Sequence, residues 1–170
     1  MPPKSAIIPA EFYQGYLDLV TDEDDFLTAM EKNTRQMKKL LKEIPRKKRD
    51  HAYAEGKWTI REMLQHIIDA ERVFAYRALR YSRMDPTPLP GFDENSWAVH
   101  AGGAARGWEE LVQEFKAVRT ASEYLFAAMS EEQLVFQGEA NGRPQNAFTV
   151  GWIISGHAAH HMNILKERYL

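Results

Sequence analysis

Hydrophobic and polar positions alternate along most of the chain with the period of a helix. Between Asp22 and Glu43, Phe26, Met30, Met37, Leu40 and Ile44 recur at spacings of three, four and seven, the signature of an amphipathic helix with one buried face. Thr21-Asp22-Glu23-Asp24 predicts its start, with capping oxygens and first-turn acids, and Pro45 its end. A second helix is predicted from "WTIREM", where Thr59 can cap the backbone and Glu62 reach back to it. Ile60, Leu64, Ile67, Phe74 and Ala78 carry its apolar face to about Arg83.

Proline and glycine then break the pattern in "DPTPLPGFDENSWAVHAGG", a connection longer than most. Periodicity resumes from about Arg106 to Met129, with a heptad-like seam of Trp108, Leu111, Phe115, Val118, Ser122, Leu125 and Met129. Ser130 and Gln133 form a further capping box that opens a short helical turn. "GEANGRPQNAF" reads as a loop in which Asn141-Gly142 makes a tight turn. A last helix runs from about Thr149 almost to the end. Four helices of about twenty residues with one long crossover between the second and third predict an all-α four-helix bundle. It spans residues 1–170 as a single domain, with 1–20 as an N-terminal arm.

The last helix departs from a plain core pattern. Val150, Ile153, Ile154, Ile164 and Leu165 share one arc, and His157 and His161 project into its middle. Four residues apart, their rings stack one turn apart on a single face. Imidazoles buried beside Ile and Leu need a partner for each ring nitrogen. They are therefore either satisfied core residues or ligands of a shared metal ion at about 2.0–2.1 Å. The glutamate of the His-Glu-x-x-His protease motif is missing. On the second helix His66 lies in a stripe with Ala70, Val73 and Arg77, which in a bundle can face the last helix across a pocket. One histidine from one helix and two from another make a three-nitrogen site with a coordination position open.

Other residues are weaker candidates. His160 sits at the edge of the arc, as a substrate contact or a surface histidine. Arg77 could take an anionic substrate group at the pocket mouth or pair with a surface acid. Asp93, with Glu94 and Trp97 in the crossover, could belong to a lid, orienting a ligand or accepting a proton. Asp69 reads as an exposed charge, and His51 and His100 as loop residues. Gly156, beside His157, either leaves room for a ligand or lets another helix pack closely.

Composition removes several classes of function. A net charge of −2 argues against general nucleic-acid binding, which needs a basic surface. Arg46-Lys47-Lys48-Arg49 is the single basic cluster, expected to be a solvated connection. With no cysteine, disulfides, thiolate ligands and a cysteine nucleophile are ruled out. Neither a signal-peptide core nor a membrane-length apolar run is present, so a cytoplasmic protein without membrane partners is expected.

"KWTIREMLQHIIDAER" and "GWIISGHAAHHMNILKERYL" resemble the DinB-like superfamily, which includes the YfiT-like proteins, over nearly the whole chain. The resemblance implies a bundle of up-down-down-up topology, frequently a homodimer, with a divalent metal, often zinc or nickel, on His66, His157 and His161. It implies a metal-dependent enzyme. Characterised relatives transfer low-molecular-weight thiols to electrophiles or isomerise maleylpyruvate with mycothiol. The first expectation is therefore a thiol S-transferase-like enzyme acting on a small molecule with an external thiol as cosubstrate. The metal would turn a group of pKa near 8.5 into a thiolate. The alternatives are a metal-dependent hydrolase, in which the ion lowers the pKa of bound water to about 7, and a non-catalytic, stress-related module whose metal ties two helices together.

Overall fold

A computed structural model describes residues 1–170. Three of the four long predicted helices begin at a side-chain cap. Asp25 accepts from Thr28 N and starts α2 (Phe26–Glu43), four residues later than Thr21 suggests, because Thr21–Asp24 offer the same chemistry in a segment of turns. Thr59 and Glu62 form the expected reciprocal box at the start of α3 (Ile60–Ser82). Asn146 caps α7 (Ala147–Ile164), with Thr149 N donating to its Oδ1 at 2.7 Å. Gly107 precedes α5 (Trp108–Ala127), and α7 runs on into one wide turn of π type over Leu165–Tyr169.

These four form the bundle. Around it α2 packs on α7, α7 on α3, α3 on α5 and α5 on α2. The consecutive helices α2 and α3 thus stand on a diagonal, in the up-down-down-up arrangement. Parallel neighbours such as α3 and α5 need a connection that travels back along the bundle, which is why the crossover is long. It contains a short helix, α4 (Glu94–His100), capped by Asp93. Leu89 N donates to Glu139 O, and Asn141 N to Leu89 O. These bonds tie the crossover to a hairpin of β1 (Gln137–Ala140) and β2 (Arg143–Asn146). The segment expected to be a loop thus pairs as two strands. Its expected turn is there: Asn141 and Gly142 both have positive φ, 53° and 70°, which a two-residue hairpin turn requires. The short helix opened by Ser130 is α6 (Glu131–Val135).

Two further elements depart from the pattern. Residues 1–20 contain a helix, α1 (Glu11–Leu17), which packs on α7. Partly because of it, α7 is covered on all sides. Every residue from Ala147 to Ala158 is buried, so the helix is central instead of one-faced. The seam of α5 also drifts: Arg119 and Phe126 are buried in place of Val118 and Leu125, since a straight helix slips relative to a strict heptad.

The core has two apolar clusters. One contains Phe26, Met30, Phe74, Phe126, Phe148 and Trp152, and the other Met37, Leu41, Ile60, Leu64, Phe115 and Met162. Between them lies a polar waist. Arg119, with no exposed surface, gives Nε to Glu71 Oε1 at 2.8 Å, Nη2 to Glu71 Oε2 at 2.9 Å and Nη1 to Asn33 Oδ1 at 3.0 Å. Asn33 in turn donates to Ser155 O. The histidines of α7 start at this level.

Candidate metal centre

His157 and His161 are buried on α7, one turn apart, with ring centroids 4.5 Å from each other. His66, half-buried on α3, meets them from the neighbouring helix. His66 Nε2 stands 3.0 Å from His157 Nε2, which stands 3.1 Å from His161 Nε2. One ligand atom from each lies within 4.8 Å of the others. The pre-helix segment seats His66. Trp58, just before the Thr59 cap, places its ring 4.7 Å from that of His66, and Tyr169 Oη donates to Trp58 O at 2.5 Å. The C-terminal turn therefore braces the third imidazole through Trp58.

Burial determines the protonation of the cluster. It lowers His66 to about 4. His157 and His161 are held well below the usual imidazole value, by burial first and then by a neighbouring imidazole, His161 beside His157 and His66 beside His161. All three are neutral at pH 7, each with a lone pair on one nitrogen. A hydrogen-bonded trio does not use them well: His157 Nε2 faces two other Nε2 atoms, but a single ring nitrogen makes one good bond, as donor or as acceptor. Nitrogens about 3 Å apart are also close enough for His66, His157 and His161 to share one divalent ion. The donor set fits a divalent cation. His161 Nδ1 is buried without a partner, on the far side of a ring whose other nitrogen points into the cluster.

The three rings line one wall of a cleft of about 180 Å³. Ala70, Phe74 and Arg77 continue the wall along α3, and Tyr13 and Tyr16 of α1, Trp58, Glu94 and Asn141 complete it. Phe74, and not Val73, is thus the cleft residue of the predicted stripe. Burial, followed by the charge of Glu94, raises the pKa of Tyr16.

The remaining candidates are scattered. Arg77 is buried in the cleft wall and forms no surface ion pair; its Nη2 donates to Pro90 O at 3.1 Å. Asp93 accepts from Asn95 N and Ser96 N as the cap of α4 and is not among the lining residues. His160 packs its ring 5.2 Å from that of Tyr16, outside the cleft. Asp69 is half-buried, bonded to Gln65 at 2.9 Å, so its reading as a freely exposed charge is corrected. The space at Gly156 is filled by α1, which settles its role as close helix packing. His51 and His100 stand apart from the cluster. Sequence patterning missed α1 with Tyr13 and Tyr16, whose seven residues bury only Leu17 and show no period.

A four-helix bundle with three neutral imidazoles meeting at a cleft defines a class of protein, and comparison gives the family. The model of the DinB superfamily matches residues 29–165. The chain belongs to that superfamily. It is 26% identical over 152 residues, 86% of each chain, to a protein of Oceanobacillus iheyensis named "Putative metal-dependent hydrolase OB0413". A Bacillus mycoides protein named in the same way is 27% identical over 86 residues, 49% of each chain. Among solved structures, YfiT from Bacillus subtilis, described as a "probable metal-dependent hydrolase with an unusual four-helix bundle topology", superposes with a TM-score of 0.70 at 15% identity, over 98% of this chain and 90% of that one. No helix is long and apolar enough to cross a membrane.

Proposed function

We propose that the protein is a metal-dependent hydrolase of small molecules, with His66, His157 and His161 as the ligands of one divalent ion. The observation that carries this is the meeting of the three ring nitrogens, at 3.0 and 3.1 Å, in the wall of an open cleft. His66, His157 and His161 would hold such a cation through three neutral nitrogens, and it would supply Lewis-acid activation of water there. The chain's residues do the rest. Phe74, Trp58 and Tyr13 exclude bulk water from one side of the cluster. Glu94, the one carboxylate along the cleft, is the group assigned to accept a proton. The names of the relatives favour hydrolysis over the thiol transfer expected first.

Metal content of untagged protein tests this, together with hydrolysis of a panel of small esters, amides and phosphoesters, with and without a low-molecular-weight thiol. The expected result is about one equivalent of metal, absent from His157→Ala, and turnover that needs the metal but no thiol. The metal analysis also decides between zinc and nickel. Equal metal content in wild type and His157→Ala overturns the ligand assignment, and a strict thiol requirement replaces hydrolysis with transfer. If removing the ion collapses the melting temperature and no substrate turns over, the metal is structural.

A further inference from the structure

The second buried arginine of the fold is as poorly satisfied as Arg119 is well satisfied. Arg77 is 3% exposed, its Nε is buried with no partner, and its guanidinium makes a single hydrogen bond, to Pro90 O. No carboxylate pairs with it. Glu94, the acid of the same cleft, forms no ion pair with it either. A buried cation without an anion is costly, and the fold makes that arrangement durable. Pro90 is fixed because its neighbour Leu89 is paired on both sides with the hairpin.

Arg77 also stands in register with the histidine cluster. His66, Ala70, Phe74 and Arg77 follow one another along α3 at spacings of four, four and three, and all four line the cleft. Eleven residues of helix separate the first and last Cα by about 16 Å. Side chains tilt toward the helix N-terminus, so Arg77 reaches back toward His66. Phe74 bridges the interval: its ring centroid is 5.7 Å from that of His157 and 6.0 Å from Arg77 Cζ. At the Arg77 end the hairpin tip brings in Asn141. Gly91 faces it there without a side chain, where a Cβ would stand 2.5 Å from Asn141 Oδ1.

We propose that this end of the cleft is an anion subsite, in which Arg77, with the Asn141 carboxamide beside it, holds a compact oxyanion of the substrate, a carboxylate or a phosphoryl group. Resting on the hydrolase reading for the other end, it makes the substrate a small acid whose reacting group lies one phenyl ring's reach from its charge. Arginine suits this task because its planar fork meets two oxygens at once.

Calorimetric titration at fixed ionic strength with butyrate, butyl phosphate and the neutral butyramide tests the subsite in the full chain. The expected result is that at least one of the two acids binds at least tenfold more tightly than the amide. Arg77→Gln should weaken that acid at least tenfold, and Arg77→Lys less. Whichever acid binds more tightly identifies the oxyanion. Acids and amide binding alike to the wild-type protein overturn the subsite, a comparison that does not depend on any variant folding. So does unchanged acid affinity in a folded Arg77→Gln protein. His157→Ala separates the two proposals. Acid affinity kept within about twofold in that variant places the anion on Arg77 whatever the fate of the metal reading. Affinity lost there but kept in Arg77→Gln puts it on the metal and ends the subsite.

Discussion

The carbonyl group of Tyr16 is packed directly against Gly156. A Cβ at Gly156 would lie 2.6 Å from the Tyr16 carbonyl carbon and overlap its oxygen. The glycine next to a candidate ligand is thus explained by backbone packing, and α1 can lie on α7 only because no side chain intervenes.

Gly156→Ala should therefore destabilise the protein. Alanine in mid-helix is favoured over glycine by about 0.5–1 kcal/mol, but overpacking against immovable backbone costs about 1–3 kcal/mol. The expected net loss is about 1 kcal/mol or more, a fall in melting temperature of a few degrees for a domain of this size. Faster proteolysis within residues 10–20, at unchanged helicity, would show that α1 is what moves.

The polar waist gives a larger effect. Glu71→Ala leaves Arg119, with no exposed surface, as an unpaired buried cation, and breaking a buried pair from one side costs about 3–5 kcal/mol. Replacing Glu71 and Arg119 together by Leu and Met should cost less than the single change, although Asn33 then loses a donor. Urea midpoints of the three proteins give the comparison. A single variant as stable as wild type would mean that the pair is not closed in solution.

Thr59→Ala removes the cap of α3 and its bond from Glu62 N, for a loss of about 1 kcal/mol. Because Trp58, the residue before the cap, packs on His66, the same variant should bind divalent metal more weakly. Ser130→Ala, at the other capping box, should leave metal affinity unchanged. Titrating both variants with one metal checks the pair.

Acid should unfold the metal-free protein through the cluster. The unfolded histidines take up a proton near pH 6.5, whereas burial holds folded His66 to about 4 and keeps His157 and His161 well below the ordinary imidazole value. Between these values the unfolded state binds more protons, so stability is fully present above about pH 6.5 and falls as the pH drops toward 4. Denaturation midpoints measured across this window should decline more steeply for wild type than for a His66→Gln, His157→Gln, His161→Gln triple variant. Parallel declines would show that the three imidazoles are not buried as neutral groups.

Short-range signals carried most of what could be read before the structure. The boxes at Thr59 and Ser130, the break at Pro45 and the turn at Asn141-Gly142 each involve residues within four positions of one another, and all are present. The i, i+4 pair on α7 and the stripe on α3 brought three histidines together because helical geometry alone aims them. What escaped depends on distant partners. Nothing in the local pattern singles out Arg119, Glu71 and Asn33, whose bonds form only where three helices meet. The one hydrogen bond of Arg77 goes to Pro90 O in the crossover, thirteen residues away. The strands carry Gln, Glu, Arg and Asn with no β-branched residue, so only pairing with each other and with Leu89 defines them. One apolar arc describes α7 too narrowly, because α1, itself without a period, covers part of the opposite face.

The placement of α7 also predicts how the molecule should breathe. Amide hydrogens from Gly151 to His161 lie in the most enclosed element and should exchange only when the whole domain opens, while those of Phe12 to Tyr16 should exchange through local fraying. Fraying of α1 alone would then uncover the cleft, while His157 and His161 stay on a scaffold that outlasts every partial opening.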